Sequence, residues 1–401
     1  MSGTPLSTRE FIALMAVIVA TVAFSIDAML PALGAIAEEL TPDAPNRAQL
    51  IVPIFVLGIG IGMVFVGPLA DAFGRKPVLL VGAVVYIGAS LVAWQAPTLE
   101  GVLLARFVQG MATAVPRIVA MAVIRDVYRG REMAQILSFV LMVFTLIPVL
   151  APSLGAVLIA GFGWRSLFPA FAIFSALSVA WFAFRQPETL APTDRRPLRP
   201  RAILQGIGEV LSYSVVRRSV AAQCLAFGCL FTLLTTTQPV FDQTFGREAG
   251  FPLWFGAVSL VSAGAAYVNS RLVTKVGMRL LIFRSMAALT GFGFVYAGLV
   301  QFDLLGPLAF PAYIAFMIAV FSTVAFTIGN LNALAMDPLG QLAGTGASVI
   351  GAISTAVSAL LGIGAGLLFD GTPFIPAALT AIFASGVLIV MPRPETALHP
   401  G

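Results

Sequence analysis

Twelve apolar runs set the limits on this fold: 11–33, 50–70, 77–95, 100–124, 134–160, 165–184, 219–241, 252–273, 280–300, 304–335, 342–369 and 373–391. Each approaches or exceeds the roughly 20 residues with which a helix crosses a bilayer's hydrocarbon core. The 401-residue chain is 59% hydrophobic and 10% charged. Soluble domains carry about 25% charged residues, so a water-soluble core cannot absorb this composition. Period-two alternation is absent, which excludes a barrel of ~10-residue strands. The expectation is an all-α, multi-pass membrane protein. The first run exceeds the 7–15 apolar residues of a secretory leader and reads as a retained first helix.

The 23 Lys and Arg residues vote on orientation. With both termini inside, only Arg47, Arg165 and Arg247 face outward. Arg106 and Arg117 lie within the fourth run, and all the others, Arg199 and Arg393 included, fall inside. That bias gives twelve spans with both termini cytoplasmic. The net charge of +5 thus serves topology, not nucleic acid. Cys224 and Cys229 are five apart, about 140° around a helix, so a shared metal site is not expected. The single histidine, His399, lies in the tail. No phosphate-binding glycine-lysine loop occurs, so the chain is expected to lack its own ATPase. No metal, no other cofactor and no enzymatic centre are expected.

The longest polar gap, 185–218, separates an N-terminal six-helix half (1–184) from a C-terminal one (219–401). Within it, "AILQGIGEVLSYSVV" has the pattern of an amphipathic surface helix. It reads either as a plain linker or as a docking segment. Two echoes mark the halves as duplicates. Pro187-Glu188-Thr189 recurs as Pro394-Glu395-Thr396, and Leu69 and Gly74 recur 203 positions later as Leu272 and Gly277. Parallel halves with a site near their interface make a transporter architecture.

The joint between runs two and three reads "GPLADAFGRKPVLL". It resembles the signature of the major facilitator superfamily, G-x-L-a-D-r-x-G-r-k-x-x-l, with Ala72 at a common Arg position. Gly67 and Gly74 permit close approach and a tight turn. Asp71 can cap or pair with a neighbouring helix end. Arg75 and Lys76 suit the inner side on topology alone. The resemblance implies more: a conformational latch of Gly67, Asp71, Gly74, Arg75 and Lys76, with Asp126 in "VIRDVY" as the acidic partner of the motif arginine.

"RFVQG" in run four resembles the superfamily's second signature. Arg106, Gln109, Thr113 and Arg117 fall on one helical stripe. An arginine at mid-membrane costs about 2.5–3.5 kcal/mol on insertion scales, so it faces a cavity or a partner. Asp27 lies at the same depth, about 9 Å from the outer ends of runs one and four, and is the expected partner of Arg106. The pair reads either as structural or as a protonation switch. In the second case burial favours the protonated acid, the guanidinium favours the carboxylate, and arriving substrate tips the balance. Arg117 either faces the cavity or snorkels to the inner surface. "APSLGA" in run five is similar to the antiporter signature G-P-x-x-G-G, which implies a helix-five hinge at Pro148, Pro152 and Gly155.

"NLNALAMDPLGQLAGTGASVIGA", with "SIDAMLPAL", "VIRDVY" and "GWRSLF", resembles the Bcr/CflA group of drug exporters over the whole chain. The resemblance implies a monomeric antiporter in the bacterial inner membrane that exchanges protons for drugs or small amphipathic molecules. Met121 stands where that group often has a second arginine. Two buried Arg and one Asp suit neutral or anionic compounds better than cations. The second half offers Thr235, Thr236, Thr237, Gln238, Asn269, Asn330 and Asn332 as polar contacts, of which Gln238 and Asn332 are the named candidates, and Phe231, Phe241 and Trp254 as stacking surfaces. An importer of one solute, cofactor or metal such as copper remains the alternative, and direction of flux separates the two.

Overall fold

The computed structural model describes residues 6–198 and 200–391. Arg199, Arg393, the second Pro-Glu-Thr copy at 394–396 and His399 lie outside the described residues. Every apolar run is helical, and no strand occurs among the described residues. A backbone in lipid must satisfy its own hydrogen bonds, which for segments of this length means helices.

The helices are α1 (Thr8–Asp27), α2 (Leu33–Leu40), α3 (Ile51–Phe73), α4 (Arg75–Gln95), α5 (Leu99–Val127), α6 (Gly130–Phe162), α7 (Leu167–Arg185), α8 (Pro200–Ser212), α9 (Ser214–Pro239), α10 (Phe251–Val276), α11 (Met278–Gln301), α12 (Ala309–Met336), α13 (Ala343–Leu367) and α14 (Phe374–Val390). A single 3₁₀ turn, Leu30–Ala32, joins α1 to α2. The first span therefore continues to Leu40, seven residues beyond the apolar run. Eleven helices are long and apolar enough to cross a membrane, and α14 is a shorter apolar helix.

Two compact units result. One holds the chain up to Gly206 with Arg247–Ala257, and the other holds Ile207–Gly246 and everything from Val258. In the first, α5 packs on α3 and α4, α1 on α6, and α4 on α7. In the second, α9 packs on α12, α13 and α14, and α11 on α14 and α12. The two glycines of the second sequence echo share a backbone feature. Gly74 (φ +104°) and Gly277 (φ +85°) each adopt a left-handed conformation immediately before a helix. Gly163 and Gly371 repeat this near the starts of α7 and α14. Only glycine enters that region without steric cost.

The segment read as an amphipathic surface helix forms α8. Part of its apolar face is covered by protein: Ile207, Val210 and Leu211 pack with Val220, Leu339 and Ile350, while Leu204 is exposed. Arg217 closes its end by donating to the carbonyls of Leu211 and Ser212 (2.8 and 2.7 Å).

The α3–α5 contact is backbone on backbone. A Cβ on Gly58 would strike the Phe107 carbonyl oxygen, and one on Gly110 the Phe55 carbonyl oxygen. Small residues allow this approach where lipid supplies no hydrophobic driving force between helices. Gly110→Ala is expected to lower stability by about 1–3 kcal/mol, read as thermal unfolding in detergent. Gly88→Ala, with open space around it, serves as the unaffected control.

Candidate functional site

A polar network runs through the first unit at the level of Arg106. This side chain is fully buried. Its Nη1 donates to Gln109 Oε1 (2.7 Å) and its Nη2 to the Ser25 carbonyl (2.9 Å). Its guanidinium lies 4.0 Å from the centroid of the Phe55 ring. Its Nε has no hydrogen-bond partner among the described residues. Gln109 in turn donates to Ser90 Oγ (2.6 Å), and Ser25 Oγ shares a 2.5 Å hydrogen bond with the Tyr86 hydroxyl. Ser90 also returns a hydrogen bond to the Tyr86 carbonyl (2.8 Å). Helices α1, α4 and α5 are thus tied together around one guanidinium, with α3 supplying the ring beneath it. The i, i+3 spacing of Arg106 and Gln109 is what lets one side chain fix the other. Thr113, also buried, bonds back to the Gln109 carbonyl (2.7 Å).

The expected Asp27–Arg106 ion pair is not formed. Asp27 is 5% exposed and has no hydrogen bond or ion pair among the described residues. The depth estimate could not fix direction around the helix. Ser25, which meets Arg106, precedes Asp27 by two residues, or about 200° of rotation. Arg106 donates instead to the Ser25 carbonyl, and Asp27 remains a separate carboxyl. Arg117 is exposed and has no ion-pair partner among the described residues. Of the second-half candidates, Gln238 is buried and Asn332 exposed. Asn330 donates to Asn269 (3.0 Å), joining α12 to α10. Thr235 is buried with an unpaired hydroxyl, while Thr236 and Thr237 bond back to their own helix. Phe241 belongs to an aromatic cluster with Phe310 and Tyr313.

The joint between α3 and α4 is a second polar centre. Arg75 bridges Asp71 (2.5 Å) and Asp126 (3.1 Å). Glu188 reaches back from beyond α7 and accepts the backbone N–H groups of Arg75 (3.0 Å) and Lys76 (2.9 Å). It caps the first turn of α4, where unpaired donors and the helix dipole favour an anion. Lys76 donates to the carbonyls of Ala183 and Gln186 (2.6 and 3.0 Å), at the end of α7. Thr189 donates to Asp126 (2.9 Å). A Cβ on Gly74 would lie 2.7 Å from Glu188 Oε2, so the glycine is needed for space as well as for its φ. Gly67 lies on α3 just before Pro68. Glu188→Ala is expected to cost about 1 kcal/mol, the usual size of a lost helix cap, measured by thermal unfolding.

At the opposite end of the unit, Glu39 accepts from Arg165 and from the Trp164 indole (2.6 Å), and Arg47 pairs with Glu100 (2.6 Å). Within α6, Pro148 and Pro152 leave the helix unbroken. A Cβ on Gly155 would meet the Ala28 carbonyl oxygen, so this glycine seats α6 against the end of α1. Cys224 and Cys229 are free and turn toward different helices, to the carbonyls of Ile353 (3.8 Å) and Thr380 (3.5 Å). No cluster of three or more metal-ligating side chains occurs among the described residues.

Ser25, Tyr86, Ser90, Phe55 and Glu188 escaped notice as site residues. For Tyr86 and Ser90 the available signal was two polar groups at i, i+4 in an apolar run. For Glu188 it was the duplicated Pro-Glu-Thr itself.

Residues 13–365 match the family model described as Major Facilitator Superfamily. The chain belongs to that superfamily. It is a transporter by family and not an enzyme. It is 29% identical over 361 residues to the "Bicyclomycin resistance protein homolog" of Haemophilus influenzae, covering 89% of this chain and 88% of the relative. It is 30% identical over 370 residues to a "Multidrug resistance protein MdtL" of a Shewanella species, covering 91% and 89%. This agrees with the Bcr/CflA resemblance. Among solved facilitator structures, the fold matches the nucleoside transporter NupG with a TM-score of 0.75 at 13% identity (96% of this chain, 100% of that one). It matches a D-xylose-proton symporter with 0.73 at 14% (96% and 98%).

Proposed function

We propose that this facilitator exports drugs or small amphipathic molecules across the bacterial inner membrane in exchange for protons, as a monomer alternating between inward and outward access. The observation that carries the reading is Asp27: a buried carboxyl with no ion-pair partner among the described residues, on the helix whose Ser25 carbonyl binds a buried arginine. An ionised carboxylate in that position is costly, so the site gains and loses its proton as its surroundings change. The relatives' names supply the substrate class. The exposed Arg117 is the substrate-facing member of the stripe that the buried Arg106 and Gln109 anchor from within, and Gln238 and Asn332 are the candidates of the second half. The cations on this stripe favour neutral or anionic compounds. The Arg75 centre, with Asp71, Asp126, Gly67, Gly74 and Lys76, serves as the inner latch, and Pro148, Pro152 and Gly155 as a hinge in α6, the fifth apolar run. The positive-inside bias supports a cytoplasmic position for the latch and both termini.

A growth-inhibition panel of antibiotics and dyes, in a host lacking its main efflux pumps, tests this. The chain is expected to raise the tolerated dose of at least one compound. Full expression without protection against any compound would remove the export reading and leave import of a solute, cofactor or metal.

A further inference from the structure

We propose that the groove between α3, α4 and α5 holds one acyl chain of an anionic glycerophospholipid, whose headgroup is received by Arg195 and Arg196. This rests on the helices lying in a bilayer and not on the direction or chemistry of transport. The groove encloses about 480 Å³, and its wall contains no charged, amide or hydroxyl side chain. Gly82 and Met111 lie in that wall, and its rim carries Phe65, Phe73, Val81 and Val85, which are 51%, 55%, 64% and 42% exposed. An apolar wall offers an ordered water none of the two to four polar partners it needs. In a membrane its rim meets hydrocarbon, and an acyl chain is the occupant that matches both the wall and the medium.

One end of the groove supplies the charge. Phe73 and Pro77 belong to its wall and flank Gly74. There the segment after α7 crosses the joint: the Arg196 amide donates to the Asp71 carbonyl (3.0 Å). A Cβ on Gly74 would lie 3.3 Å from Arg195 Nη2. Both arginine side chains are exposed, and neither has an ion-pair partner among the described residues. The carboxylates around them are committed elsewhere. Asp71 and Asp126 hold Arg75, and Glu188 holds the first turn of α4. Asp194, beside Arg195 in the chain, is the other acid of the segment. Two free guanidinium groups at the polar end of a hydrocarbon groove match a phosphodiester headgroup on an acyl tail. A lipid seated there would press the crossing segment onto the joint that Arg75 organises.

Native mass spectrometry of the full chain tests this, released from micelles carrying equal phosphatidylglycerol and phosphatidylcholine of identical acyl chains. The wild type is expected to retain one tightly held lipid, preferring phosphatidylglycerol by about 25-fold, at about fivefold per arginine. Val81→Trp, at an exposed rim position, fills the groove and should release that lipid whichever headgroup it carries. Arg195→Gln with Arg196→Gln should keep the bound lipid but bring the two headgroups to parity. Retention by Val81→Trp equal to wild type would overturn the acyl site. A preference that survives the double substitution would overturn the headgroup site. Neither variant touches the Asp27–Arg106 region, so failure here leaves the transport reading standing.

Discussion

Asp27→Asn is expected to reduce drug protection to the level of cells without the transporter, while yield and unfolding temperature stay at wild-type values. The substitution preserves size and removes only the ability to ionise. Because Asp27 makes no ion pair or hydrogen bond among the described residues, folding loses nothing with its charge. Had it paired with Arg106, the same change would strand a buried guanidinium and destabilise the protein by about 3–5 kcal/mol. Growth inhibition and thermal unfolding on one preparation separate the two cases. Full protection by the variant would place the proton site elsewhere. A large drop in stability would restore Asp27 as a structural partner.

Arg106→Lys is expected to fail on both counts. The charge is kept, but the planar fork is lost. An ammonium cannot hold the Ser25 carbonyl and the Gln109 amide oxygen at 2.9 and 2.7 Å while lying flat on Phe55. One buried acceptor is left without its donor, at a cost of about 1–3 kcal/mol. Transport should fall on the order of tenfold or more, since about 1.4 kcal/mol of misplacement in the bound state is already a factor of ten. Gln109→Leu, which removes the orienting amide and keeps the guanidinium, should weaken transport less than Arg106→Lys does. Arg106→Lys with normal stability and normal transport would show that the fork is dispensable.

The apolar helices were legible because lipid leaves the chain few choices. A run of about 20 apolar residues has one way to satisfy its backbone, and the positions of Gly74 and Gly277 need the conformation that glycine alone adopts freely. The stripe from Arg106 to Thr113 was legible for the same reason, since helical period fixes which residues share a face. What could not be read was azimuth between helices. Asp27 and Arg106 share a depth, yet the arginine turns to Ser25, because packing of α1 against α5 and α6 sets the rotation. Nor could the reach of Glu188 be read, more than 110 residues from the helix it caps. It comes from α7 packing beside α4, a tertiary fact with no local trace.

The most direct test uses the purified protein in sealed vesicles, with a fluorescent dye that the growth panel shows to be a substrate. An imposed pH gradient should drive the dye uphill, opposite to the flow of protons. Accumulation should vanish when an ionophore collapses the gradient, and equally in Asp27→Asn. Dye moving in the same direction as protons would make the chain a symporter. Dye movement indifferent to the gradient would show that protons are not its coupling ion.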